Sequence, residues 1–154
     1  RPLAATANPM HPYPHNYRVR VTAAPESVVR LESEGLPEMA SLPPPEFDGP
    51  GGYWSPETLL VAAVADCFLL SFRSIARASR FEWQELSAEV HGLLERSDGV
   101  ARFTRMETRA RLSIPAGTDP ARAKMLMEKA EKICLISNSL SAARHLECEV
   151  VVAP

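Results

Sequence analysis

Two cysteines, Cys67 and Cys134, are the side chains of this sequence with the widest chemical reach. A thiolate attacks electron-poor oxygen or sulfur and binds soft metals, and a second thiol can condense with an oxidised first one. Cys67 stands beside Asp66 in SPETLLVAAVADCFLLSFRSIARAS (residues 55–79), and Cys134 in KICLISNSL (residues 132–140). The third, Cys148, shares a period-two face with Leu146, Val150 and Val152, the pattern of a packed strand residue. There is no CxxC pair and no glycine-rich phosphate loop. A zinc site would have to draw on Cys67, Cys134 and Asp66 or a histidine, at no recognised spacing. A cysteine hydrolase would need a histidine partner, and His91 and His145 lie in no supporting motif. Thiol redox chemistry remains, beside the inert alternative in which a cysteine packs as a small hydrophobe.

The element that must position Cys67 is one long helix. Ser55 suits its N-cap, Pro56 its first position, and Glu57 the positive end of its dipole. Only Asp66 is charged between Thr58 and Phe72, and the apolar residues circle the axis, which predicts a core helix packed on all sides. About fifteen such residues fall short of the roughly 20 that cross a bilayer, so no membrane span is expected. Cys67 lies twelve positions past Ser55, too deep for that helix end to favour a thiolate.

Around this helix the pattern alternates. Residues 15–24 and 28–33 read as an N-terminal hairpin turning at Ala24–Ser27, and residues 86–96 and 102–114 as a second one turning at Asp98–Gly99. The charged face of the second hairpin, His91 included, reads as solvated sheet. The proline- and glycine-rich segment 34–54 reads as a long loop whose Phe47, Tyr53 and Trp54 either seal the helix entrance or line an apolar substrate pocket. Asp119–Pro120 starts an amphipathic helix that closes at Cys134; a short helix over 138–144, capped by Ser137, and a strand over 146–152 follow. The expected class is α+β, with a mainly antiparallel sheet covered by helices.

At 154 residues, 45% hydrophobic, with a net charge of -2, the chain fits one domain over residues 10–154, with residues 1–9 an appended or disordered remnant before a natural start at Met10. No basic footprint points to nucleic acid or to a membrane surface. Three cysteines without a secretory pattern suggest a reducing, cytoplasmic setting. The apolar helix exceeds what one small sheet can cover, and a homodimer is the natural remedy.

SPETLLVAAVADCF, with Pro56, Glu57 and Cys67, followed by CLISNSL from Cys134, resembles the osmotically inducible protein C and organic hydroperoxide resistance (OsmC/Ohr) family. The order of elements is similar from about Tyr17 to Val152. This resemblance implies an intertwined homodimer with its active sites at the subunit interface, acting as a thiol-dependent peroxidase on small organic hydroperoxides, with an external dithiol as reductant and no metal, haem or flavin. It also implies that Cys67 is the peroxidatic cysteine, Cys134 the resolving one, and Glu57 the orienting carboxylate. Phe47, Tyr53, Trp54 and Phe68 are the residues that would then meet substrate. Glu57 and Cys67 are ten residues apart, about 15 Å along a helix, so Glu57 would serve the cysteine of the other subunit. The family pattern pairs the cysteine with an arginine from the first hairpin turn or from the loop before the helix. Here those places hold Ala24–Ser27 and Glu46–Phe47, and Arg30 is the candidate substitute. The alternative function is a non-catalytic dimer of the same fold binding a small apolar ligand.

Overall fold

The computed structural model describes residues 10–154, so the reading of residues 1–9 lies outside it. The chain forms two compact units that divide between Ser55 and Pro56.

In the first unit β1 (Arg20–Thr22), β2 (Val29–Glu32) and β3 (Met39–Ser41) form an antiparallel sheet in that order. The expected hairpin turn is closed by the Ser27 N–H donating to the Ala24 carbonyl at 3.3 Å and by the Ala24 N–H donating to Ser27 Oγ at 2.8 Å. β1 is shorter than the alternating pattern, and Tyr17, Val19 and Val21 are exposed instead of half-buried. Alternation marks a face; it does not say whether one subunit covers it. The segment read as loop holds β3 and a 3-10 turn at Pro45–Phe47, because residues 39–41 lie between Pro37 and Pro43 and keep their N–H groups. The Leu42 N–H bonds to the Trp54 carbonyl at 3.0 Å, folding the segment back on itself. Gly49 makes this possible: a Cβ there would lie 1.7 Å from the Pro43 oxygen.

The second unit opens with α1 (Pro56–Ala78), then β4 (Glu85–Ser97), β5 (Val100–Ile114), α2 (Pro120–Ile133), α3 (Leu135–Asn138) and β6 (Ala143–Val152). β4 and β5 pair antiparallel through Asp98 and Gly99, whose φ values of 52° and 77° suit the primed two-residue turn. β6 pairs with β5 in parallel, the exception in a fold whose other strand pairs are antiparallel. Two helices lie between β5 and β6, long enough for the crossover a parallel pair requires. The α+β class holds.

Asp119 caps α2 as expected, its carboxylate accepting the Ala121 N–H at 2.9 Å. The helix expected over 138–144 is instead α3, one turn earlier. From Ala143 the backbone is extended, because Ala143 and Arg144 pair with Arg105 and Met106 of β5.

The core of this unit joins Phe68, Phe72, Ile75 and Ala76 of α1 to Leu86, Ala110, Leu112 and Ile114 of the sheet and to Ala123, Leu126, Met127 and Ala130 of α2. With Val64 added, the buried residues of α1 make a single stripe, and Leu70 is 47% exposed. Packing on all sides is therefore not what one subunit provides, since the sheet and α2 cover one flank only. The 23 residues of α1 are long and apolar enough to cross a bilayer, but its stripe is the core of a folded unit. α1 lies so close to β4 that a Cβ on Gly92 would come 2.7 Å from Val61 Cγ2. The opposite sheet face carries the expected charges, exposed in the pairs Arg109–Glu147 and Arg111–Glu149 and half-buried in Arg105–Glu107.

Candidate functional site

Cys67 sits on α1 at the margin of the buried stripe, between Val64 and Phe68, and is half-buried. Its Sγ lies 3.9 Å from Ser71 Oγ, one helical turn on. Cys134 is 1% exposed, and its Sγ lies 3.9 Å from the carbonyl oxygen of Val64, one turn before Cys67. Burial pushes the Cys134 thiol up; the Ser137 N–H and hydroxyl pull it down, and a hydrogen bond with Cys67 and the charge of Cys67 push it up again. Cys134 thus packs against the turn of α1 that leads to Cys67, close enough to feel its charge, and both thiols are free. Sequence alone suggested Cys134 for its place at a helix junction, and the junction is real. Cys134 ends α2, its N–H donating to the Glu131 carbonyl at 3.3 Å, and precedes α3, its carbonyl accepting the Asn138 N–H at 2.9 Å.

Across that junction reaches Arg144 of β6. Nε donates to Glu131 Oε1 at 2.5 Å, Nη1 to Asn138 Oδ1 at 2.6 Å, and Nη2 to the Glu131 main-chain oxygen. Ser71 and Ser137 are polar neighbours of the thiols and Arg144 braces the junction; sequence reasoning assigned none of them to the site, and Ser137, expected as a cap, lies inside α3. The two serines could have been found from helical spacing, at i+4 from Cys67 and i+3 from Cys134. Arg144 had no such signal, because its position depends on where β6 pairs.

Of the other candidate residues, Glu57 and Phe68 lie on the same helix as Cys67, and Arg30, Phe47, Tyr53 and Trp54 belong to the first unit. Glu57 is in the first turn of α1, on the same helix as Cys67, and its Oε2 is buried without a hydrogen-bond partner among the described residues. Phe68 is 1% exposed inside the core cluster, where it packs and does not line an open surface. In the first unit, Phe47, Tyr53 and Trp54 are exposed. Arg30, also there, donates through Nε to Glu38 at 2.5 Å and pairs with Glu32 at 3.4 Å. The Glu38 hydrogen bond and charge, then those of Glu32, hold its guanidinium above the usual range, so any other anion must compete with two carboxylates. Cys148 is half-buried on β6 against the core; burial and then Glu128 push its thiol up, and Lys124 pulls it down. Among the described residues no three His, Cys, Asp or Glu side chains gather where a metal ion could sit.

Comparison with known proteins gives consistent findings. A family model described as OsmC-like protein matches residues 49–149. The chain is 29% identical over 125 residues, 79% of its length and 83% of the relative's, to "Uncharacterized protein YmaD" of Bacillus subtilis (strain 168). Its fold is similar to that of an OsmC-like protein of unknown function from Vibrio cholerae, with a TM-score of 0.78 at 20% identity over 87% of this chain and 99% of the other. It is also similar to an organic hydroperoxide resistance protein from Legionella pneumophila, with a TM-score of 0.68 at 22% identity over 89% and 97% of the two chains.

Proposed function

Because the chain belongs to the OsmC-like protein family, we propose that it is a thiol-dependent peroxidase that reduces small organic hydroperoxides through Cys67 and Cys134. The observation that carries this reading is that the buried Cys134, at the α2–α3 junction, packs against the Val64 carbonyl of α1, one turn before the half-buried Cys67. Cys67 as a thiolate attacks the terminal oxygen of R–O–O–H. The O–O bond breaks, sulfur is oxidised to the sulfenic acid, and the departing alkoxide takes a proton to leave as alcohol. The Cys134 thiol then attacks the Cys67 sulfur. An S–S bond forms, the S–OH bond breaks, and hydroxide leaves with the thiol proton as water. An external dithiol reduces the disulfide and is itself oxidised.

The working unit is a homodimer in the cytoplasm. Support comes from the exposed flank of α1 and from Glu57, whose buried, unpartnered oxygen lies ten residues along the same helix from Cys67. On a helix that spacing is about 15 Å, so Glu57 orients the cysteine of the second copy. Titration of the reduced protein with cumene hydroperoxide tests the proposal. Loss of two free thiols per chain and release of cumyl alcohol are expected, with neither seen in Cys67→Ser. Unchanged thiol counts in the native protein reject it.

A second reading, a non-catalytic dimer that binds a small apolar ligand, is favoured by the exposure of Phe47, Tyr53 and Trp54 at 55%, 50% and 50%. It predicts quenching of tryptophan fluorescence by an apolar ligand in a protein inert to peroxide.

A further inference from the structure

We propose that Arg144 is a positioning residue that holds Cys134 in register for condensation with oxidised Cys67. The inference rests on the peroxidase reading and names a residue that reading does not use. The planar guanidinium engages both sides of a helix break at once. Two of its nitrogens take the side chain and main-chain oxygen of Glu131 in the last turn of α2, and the third takes Asn138 at the end of α3. The residue between these anchor points that carries a thiol is Cys134. The Glu131 carbonyl also accepts the Cys134 N–H, so the oxygen that anchors Arg144 fixes the cysteine backbone directly.

The pair is largely shielded, with side-chain exposures of 27% for Arg144 and 20% for Glu131. Arginine is well matched to this place, since its donors form a fixed fork and its positive charge complements the negative end of α2. The chemistry shows why the register matters. Two sulfurs must close to about 2.05 Å, with a restricted dihedral, to make a disulfide. A segment anchored at 131 and 138 keeps that movement local to Cys134; a released segment spreads it over many geometries.

The step affected is therefore the second, in which the Cys134 sulfur bonds to the Cys67 sulfur and water leaves. Attack of Cys67 on peroxide is not affected. Stopped-flow oxidation of the full chain by cumene hydroperoxide, with dimedone trapping and mass spectrometry, separates the two steps. In Arg144→Met the first phase is expected to stay within about twofold, while disulfide formation slows about 10-fold or more, as small misplacements of reacting groups do. Dimedone-trapped Cys67 should accumulate accordingly. Arg144→Lys keeps the charge without the fork and should fall between. A merely structural defect would slow both phases together. Asn138→Ala removes one contact and serves if Arg144→Met does not fold. Native-rate condensation in a folded variant overturns the proposal. If the native protein ignores peroxide, the peroxidase reading fails separately, and diamide-driven formation of the Cys67–Cys134 disulfide gives the same comparison between native and Arg144 variants.

Discussion

Replacing Gly92 with alanine perturbs the seat of the helix that carries Cys67. The new methyl would lie 2.7 Å from Val61 Cγ2, 3.1 Å from Phe103 Cε1 and 3.2 Å from Met106 Sδ. Ordinary carbon contacts lie at about 3.5–4.0 Å, so α1 must retreat from β4 by about 1 Å or Val61 must leave its rotamer. Overpacking of this kind costs about 1–3 kcal/mol. Alanine recovers about 0.4–1 kcal/mol by restricting the unfolded chain. The net expectation is a loss of about 1–2 kcal/mol, read as a fall in Tm of about 2–4 °C per kcal/mol for a chain of this size. The assay is thermal unfolding at one fixed protein concentration for the native chain, Gly92→Ala, Val61→Ala and the double variant. Because Val61→Ala removes the atom that is struck, the double variant should be more stable than the sum of the singles by about 1–2 kcal/mol, within the range seen for contacting residues. A Gly92→Ala protein that melts at or above the native temperature, or costs that simply add, would refute the account of how α1 is seated.

Brief alkylation of the reduced protein at neutral pH should label half-buried Cys67 before Cys134, which is 1% exposed; peptide mapping reads the order. Burial raises the folded Cys134 thiol above its unfolded value of about 8.5, so its contribution to stability is complete below that pH and is lost as pH rises through the folded value. Tm should fall less steeply above pH 8.5 in Cys134→Ala than in the native chain. Asp119→Ala deletes the cap of α2 and should cost about 1 kcal/mol in denaturant unfolding, with Asp119→Asn restoring most of it. Gly99→Ala forces a Cβ into a φ of 77° and should cost about 1–2 kcal/mol by the same measurement.

What could be read from the sequence is what local chemistry determines. Proline and glutamate at the head of α1, Asp98–Gly99 between β4 and β5, and Asp119–Pro120 before α2 each specify a start or a turn by sterics and hydrogen bonding within a few residues. Cys67 and Cys134 were legible as candidates by type and by neighbouring motif. Their meeting was not, because it depends on how α2 crosses the sheet after β5. The same limit explains the displaced short helix. Residues 138–144 carry a plausible helical pattern, but pairing of Ala143 and Arg144 with β5 outweighs it. β3 was hidden by the prolines that follow it, and the exposure of Tyr17, Val19 and Val21 cannot be inferred from alternation alone. Arg144 was visible as a residue, and its partners only as a consequence of strand register.

The parallel pairing of β5 with β6 has a consequence for how this protein matures. A hairpin such as β4–β5 can zip as soon as both arms leave the ribosome. The second edge of β5 stays open until α2, α3 and the whole of β6 have been synthesised. Until then the nascent chain exposes a long strand edge, and Glu131 and Asn138, on either side of Cys134, lack the arginine that joins them. Cys134 thus acquires its final surroundings late, after the strand that carries Arg144 has been made.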